Sequence, residues 1–498
     1  MRNGIQYTEF ETRHGNNHFV RQDRGSFVQT CGQRSVLHAN LIDKKLAIVC
    51  CKGARCLETD VCIVGSGVIG LSCAHRLLER GHACTIVDAQ VPCSGATGAG
   101  KGYIWMAHRD PLSKGAWKMA EASKAMWERQ MARGSDSTFG EACEWNRNGS
   151  LLVSTTFEES ESLIRRVQLL QGAGIGNAVY LDHRQLVHQT GETCLCGSRV
   201  KGGVLTPTDG QINGRKTAEA LLSSCRSFGG KFEAIFHDGC SSALVDNSQA
   251  DRPRIHGVVL ESGQSIEARK GVVIACGAWT GGLLDTILGE YISGRTGTPW
   301  KDAILPSRGH LLVVKPDAKS PQLRHGIMES TYTKHYDRNM DAPSQEIDIT
   351  FTATRNQIDG TVLLGSSREV GQSLAHQSVH RKSIRWDNKP DHDIVRRILE
   401  RAYEFVPSIF GNDAISDIAN DIIGQQKRHS ARVGLRPFAF GRPLVGPIPE
   451  ATGLYIAAGH EGSGLTLGPI TAEIILHHIS NTNDIDLEDI LSYLRRSP

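Results

Sequence analysis

Gly65, Gly67 and Gly70 stand in the spacing G-x-G-x-x-G, and Asp88 closes the apolar run that follows. These residue types at this spacing suit a pyrophosphate. The first glycine turns the chain tightly, the second admits close backbone approach, and the third lets a helix pack on a strand. The intervening Ser66, Val68 and Ile69 bring backbone N–H groups to the anion, and Asp88 is placed to accept hydrogen bonds from a ribose. The surrounding stretch, residues 60–88, reads as strand, turn, helix and strand. Val61, Ile63 and Val64 form the continuous apolar run of a buried parallel strand. Residues 68–78 carry apolar positions at helical spacing, and Gly81 stands where that helix would end. The pattern indicates a dinucleotide without saying which one.

A second glycine-rich stretch, CSGATGAGKGYIW at residues 93–105, is too rich in small residues for a regular helix start. Its hydroxyls Ser94 and Thr97, with its backbone N–H groups, suit a further part of a long cofactor. Helical periodicity covers residues 115–133 and 157–172, with a strand at 150–154 between them, and returns at 214–228. Residues 254–278 predict a hairpin around 261–264, followed by a fully apolar strand that enters Gly277. Alternating positions at 309–314, 347–352 and 362–365 predict antiparallel strands. A helix at 394–405, a strand at 453–458, the turn GHEGSG and a helix from Thr466 complete the chain.

The fold class is α/β: a Rossmann-like dinucleotide-binding domain interleaved with an antiparallel-sheet (α+β) substrate domain. The expected division gives 57–112, 203–300 and 430–485 to the first domain, and 113–202 and 301–429 to the second. Residues 1–56 form an N-terminal extension.

Composition narrows the class further. The 498 residues are 39% hydrophobic and 22% charged, as in ordinary globular proteins. A net charge of +3 gives no argument for nucleic acid as a partner. No apolar run approaches the ~20 residues of a membrane span. All 14 cysteines lie at or before Cys276 and lack paired C-x-x-C spacing, so reduced thiols and no metal site are expected. The first 55 residues hold nine Lys/Arg against four acids. Such a basic leader suggests import into a plastid or another organelle, with the cytoplasm as the alternative. The terminal Arg-Ser-Pro is not a peroxisomal address.

Taken in order, these motifs resemble the FAD-dependent D-amino-acid oxidase (DAO) superfamily, which includes glycine and sarcosine oxidases and D-hydroxyproline dehydrogenase subunits. The resemblance runs from Asp60 to about Ile479. It rests on the glycine fingerprint with Asp88, on GVLTPTDG at 203–210, and on the apolar strand ending in Gly277-Ala278-Trp279. It rests also on Pro306-Ser307-Arg308-Gly309-His310, on GLRP at 434–437 and on GHEGSGLTLGP at 459–469. The resemblance implies FAD, with Gly459, His460, Gly462, Gly464, Leu465 and Thr466 at the flavin end. Those glycines permit approach to a flat ring. A helix N-terminus beside it would stabilise an anionic reduced flavin by ~0.3–1 kcal/mol.

The implied reaction oxidises the C–N bond of a D-, N-alkyl- or cyclic amino acid by hydride transfer to flavin N5. Oxygen or another acceptor would then take the electrons. Such chemistry needs orientation, a neutral amine and the cofactor as electron sink, and no obligatory side-chain base. A bidentate arginine for the substrate carboxylate is the feature to seek. Arg355 stands where related oxidases carry that arginine in Y-x-x-P-R, although Thr352-Ala353-Thr354 precede it here; Arg368 and Arg436 are its rivals, with Arg436 expected rather to support the flavin or the domain interface. The same resemblance makes Tyr332 a pocket wall, Lys101 an electrostatic aid to oxygen reduction and His310 structural. GLRP continues with Phe438-Ala439-Phe440 rather than T-P-D, which reshapes the pocket expected for any one relative. No cysteine follows Cys276 and no histidine lies in 93–102, so the FAD is expected to be noncovalent. Two alternatives stay open: an FAD-dependent 2-hydroxy-acid dehydrogenase on this fold, which would need a histidine base, and a non-catalytic FAD-binding assembly protein.

Overall fold

The computed structural model describes residues 56–132, 138–247, 252–292, 299–333, 347–370, 389–425, 428–480 and 486–495. All of them fall within the compact unit Gly53–Pro498. The basic leader, and with it the expected organelle address, lies outside the described residues except for Cys56.

The first sheet is built around Leu57–Val64, which runs parallel to Cys84–Asp88 on one side and Ser265–Ile274 on the other. Phe232–Phe236 and Leu454–Ala458 extend it in parallel, and Leu444–Pro447 closes one edge antiparallel. The expected hairpin is present as Arg254–Leu260 against Ser265–Ile274. The unbroken apolar run at 61–64 has a direct cause. Val61 and Ile63 pack with Leu71, Leu77 and Ile475 on one face, whereas Cys62 and Val64 pack with Val258, Leu284 and Leu288 on the other. A parallel strand covered on both faces has no polar side to show. Helices Val68–Glu79 and Gly464–Ser480, far apart in sequence, pack together and are clamped by Arg76 and Glu473 at 2.6 Å.

The second sheet has eight strands in the order 430–438, 305–314, 362–370, 348–355, 326–329, 150–154, 202–206 and 179–182. Its neighbours are antiparallel except for Gly326–Glu329 beside Ser150–Ser154. Helix His392–Phe405 covers one face. Its Ile394, Ile398, Ala402 and Phe405 recur at helical spacing, and Phe405 stacks on Phe351 at 4.3 Å. Strands Gly202–Thr206 and Ser430–Phe438 both belong to this sheet, although the boundaries at 203 and 430 placed their residues in the first domain. An apolar run of strand length carries no mark of which sheet it joins; its partner, here Ser150–Ser154 or Leu305–Val314, decides.

The GVLTPTDG segment ends in a buried acid. Asp209 accepts hydrogen bonds from the backbone N–H groups of Met106 and Ala107 (2.8 and 3.1 Å) and from the Ser150 hydroxyl (2.7 Å), with Lys124 at 3.7 Å. It thereby pins the chain after the glycine-rich loop to the second sheet at Ser150. Asp209→Ala would strand these donors and leave the buried Lys124 with Glu128, at 3.6 Å, as its remaining partner. We expect a loss of about 3–5 kcal/mol in urea unfolding; an unchanged midpoint would exclude this structural role. The cysteines among the described residues are free thiols, as expected. Among the described residues no helix is long and apolar enough to cross a membrane.

Candidate active site

One cavity of about 310 Å³ runs from the glycine turn at 65–70 to the antiparallel sheet. Gly65, Gly67, Val68, Ile69, Asp88, Ser94, Thr97 and Gly277 line it at the first sheet. Two residues of the fingerprint do other work. Gly70 does not line the cavity: a Cβ there would sit 1.9 Å from the Gly65 carbonyl oxygen, so its role is helix-on-strand packing. Ser66 is fully buried, and its N–H and hydroxyl both donate to Asp88 Oδ2 at 2.7 Å. With the Gln90 N–H on Oδ1 at 2.9 Å, Asp88 is held as a fixed acceptor at the cavity wall. Val68 presents its side of the turn, but its N–H is taken by Thr97 Oγ1 at 3.1 Å. The second glycine-rich loop thus caps the helix that the fingerprint begins.

At the far end, helix Gly464–Ser480 begins two residues earlier than the expected Thr466, after the short turn Glu461–Ser463. Gly464 and Leu465 bring its N-terminus to the cavity, beside His460 and Gly462. Thr466 and Gly459 do not line it. Thr466 donates to the Tyr103 carbonyl at 2.7 Å, and Gly459, at φ +82°, leaves room that a Cβ would take from Ala439. His460 Nε2 meets Thr471 Oγ1 at 2.9 Å, while its buried Nδ1 has no partner. Burial lowers this imidazole to about 3, so it is neutral. Trp279 Nε1 and the Tyr103 hydroxyl are further buried atoms without a partner in residues lining the cavity. Buried polar atoms are normally satisfied. Three orphans, a glycine cradle and a helix N-terminus around one cavity fit the polar edges of a flavin dinucleotide.

The substrate end is built by two motifs that meet only in the fold. Pro306 to Gly309 lies directly opposite Gly434 to Pro437, with Ser307 facing Arg436 and Gly309 facing Gly434. A Cβ on Gly309 would stand 2.2 Å from the Arg436 guanidinium, so this glycine makes space for the arginine. Arg436 donates to the Ser367 carbonyl at 3.1 Å. Among the described residues it has no carboxylate partner. Arg368 is spoken for: it pairs with Glu461 at 2.6 Å and lies over the Phe438 ring at 5.1 Å. Phe438 thus backs an ion pair in a smaller cavity shared with Tyr332, Asp348, Ser366 and Arg436.

Arg355 does not line the cavity, which corrects its expected role. It ends strand Asp348–Arg355 half-buried and bonds Gln357, on the following exposed turn, at 3.1 Å. Side chains alternate along a strand. Thr352 faces the cavity, whereas Phe351 and Ala353 enter the core beneath helix His392–Phe405, so residue 355 shares their parity. Tyr332 lines the cavity as expected. His310 lines it as well, yet its ring is engaged by the Ser367 hydroxyl and the Asp391 N–H, and burial lowers it to about 4. Lys101 is in the cavity, but not as a ready charge. Burial and the neighbouring Arg436 push it well below the ordinary lysine range. Trp279 and Tyr103 were missed because single aromatic residues carry no spacing signal; Arg436 was legible in GLRP, without its partner.

A glycine turn at the carboxyl edge of a parallel sheet, a helix N-terminus across the cavity from it and a sheet-walled substrate end define a flavin-dependent oxidoreductase. The chain belongs to the DAO family, the FAD dependent oxidoreductases, whose pattern spans residues 60–477. It is 24% identical over 421 residues to glycine oxidase of Geobacillus kaustophilus, covering 84% of this chain and 91% of that protein. The crystal structure of glycine oxidase from Bacillus cereus superposes with a TM-score of 0.65 at 22% identity, covering 88% of this chain and 99% of that one. The dithionite-reduced L-α-glycerophosphate oxidase of Mycoplasma pneumoniae, solved with FAD bound, gives 0.62 at 15% identity over 86% and 95%.

Proposed function

We propose that this enzyme oxidises the C–N bond of an amino acid, D-, N-alkyl- or cyclic, with noncovalently held FAD. One observation carries the reading: Arg436 is a cavity cation with no carboxylate partner among the described residues, which suits a substrate carboxylate. When bound, the flavin accepts a hydride from the carbon beside the amine. This chain's residues hold the carboxylate at Arg436, wall the cavity with Tyr103 and Tyr332, and keep water from the reacting carbon. A 2-hydroxy acid is the weaker reading. It needs a histidine base for the alcohol proton, and His310 and His460, lowered to about 4 and about 3, are poor ones.

The test is anaerobic bleaching of the flavin near 450 nm by D-amino acids, N-methyl amino acids, prolines and 2-hydroxy acids. Amines should bleach it and hydroxy acids should not; the reverse would overturn the reading. Acid precipitation should leave the flavin in the supernatant, since a covalent link would carry it into the pellet.

A further inference from the structure

We propose that Lys101 is a catalytic residue that takes the proton from the substrate's ammonium group before its C–H bond breaks. This rests on the amino-acid reading above and supplies what that reading leaves open, the origin of the neutral amine.

The geometry comes from Thr352. Lys101 Nζ contacts the Thr352 carbonyl at 2.7 Å and also the Thr352 hydroxyl oxygen. That hydroxyl donates its own hydrogen to the Gly365 carbonyl at 2.7 Å, so towards Lys101 it can only accept. The Thr352 carbonyl can only accept as well. Both contacts therefore use an N–H of Lys101. A neutral amine has two N–H bonds and one lone pair, so Thr352 fixes both hydrogens and leaves the lone pair as the open position. An ammonium would instead carry a third hydrogen, buried beside the Arg436 charge.

The titratable groups around the same space come from every wall: Tyr103 on the lysine's own segment, Tyr332, His310, Arg436, and His460 and Glu461 from the C-terminal turn. Burial keeps both histidines neutral and raises Tyr103. Glu461 is paired with Arg368. Among the described residues no carboxylate pairs with Lys101, which leaves it a base with a free lone pair in the cavity that holds Arg436.

The step balances. One N–H bond of the substrate ammonium breaks and one forms on Lys101 Nζ, returning the lone pair to the substrate nitrogen. That pair becomes the second bond of the C=N group as the α-hydrogen leaves with its two electrons to the flavin. After the imine departs, Lys101 returns the proton to solvent.

The experiment measures the anaerobic reduction rate against pH for wild type and Lys101→Met, using the fastest amino acid of the panel. Wild type should stay flat from the substrate amine's own pKa down through neutral pH. The variant should follow the fraction of free amine, falling tenfold per pH unit, hence about 100-fold two units below that pKa, and should approach wild type above it. Propionate, which lacks an amine, should perturb the flavin spectrum of both proteins at pH 8 with affinities within about twofold. A loss that is equal at every pH, or no loss, would overturn the role of Lys101 while leaving the amino-acid reading standing. A wild type that no amine reduces would overturn both. If Lys101→Met does not retain flavin, Lys101→Gln carries the same comparison, because it keeps a donor for Thr352 without a basic nitrogen.

Discussion

Arg436→Leu should weaken binding of the substrate carboxylate about 10- to 100-fold, from the ~1.5–3 kcal/mol of a hydrogen bond to a charged group, while flavin content stays at the wild-type level. Arg436 extends from strand Ser430–Phe438 into space that Gly309 leaves open, anchored by one bond to the Ser367 carbonyl. Arg436 lines the cavity, where bidentate geometry rewards a carboxylate. Arg436→Lys should recover the charge without the fork and fall between the two. Arg355→Leu, at the end of its strand, should change propionate affinity by less than about twofold, within the ordinary range for surface substitutions. Titrating propionate against flavin absorbance reads all three variants. If Arg355→Leu weakened binding and Arg436→Leu did not, the assignment would be reversed.

Gly70→Ala should have a large effect on stability, about 3 kcal/mol, with loss of bound flavin. The added methyl would lie 1.9 Å from the Gly65 carbonyl oxygen and 3.3 Å from Ile63. Neither backbone nor a packed core residue can yield cheaply, so helix Val68–Glu79 would have to lift from strand Leu57–Val64. That lift opens the contacts of Leu71 and Leu77 with Ile63, and tilts the turn that faces the cofactor. Gly81→Ala separates sterics from backbone conformation. Gly81 has φ +86° but nothing within 4 Å of a Cβ, so its replacement should cost only about 1–2 kcal/mol and leave flavin bound. Thermal unfolding of the two variants, with flavin absorbance on the folded fraction, compares them directly.

The fold was legible wherever local chemistry and long-range packing ask for the same residues. The fingerprint at 65–70 required glycine in any context, since Gly65 has φ +109° and Gly70 admits no Cβ. Ser150–Ser154 and Phe157–Gly172 follow the expected bounds because apolar alternation and periodicity are local properties of the chain. The substrate arginine was read wrongly at Arg355 for a correspondingly local reason. Nearness to a strand end says nothing about which face a side chain takes, and one step of parity separates Thr352 in the cavity from Phe351 in the core.

What the sequence by itself determined, then, is the dinucleotide turn, the FAD-type closing helix and the supply of glycines that let backbone come close to a ligand. Only the tertiary structure decided that Pro306 to Gly309 faces Gly434 to Pro437, which makes Arg436 the cavity's open cation. Only it decided that Lys101, in a glycine-rich loop, is half-buried against Thr352. The physical reason is common to both. Charge state and reach depend on neighbours hundreds of residues away, and register between distant strands is set by pairing and burial that no local window contains.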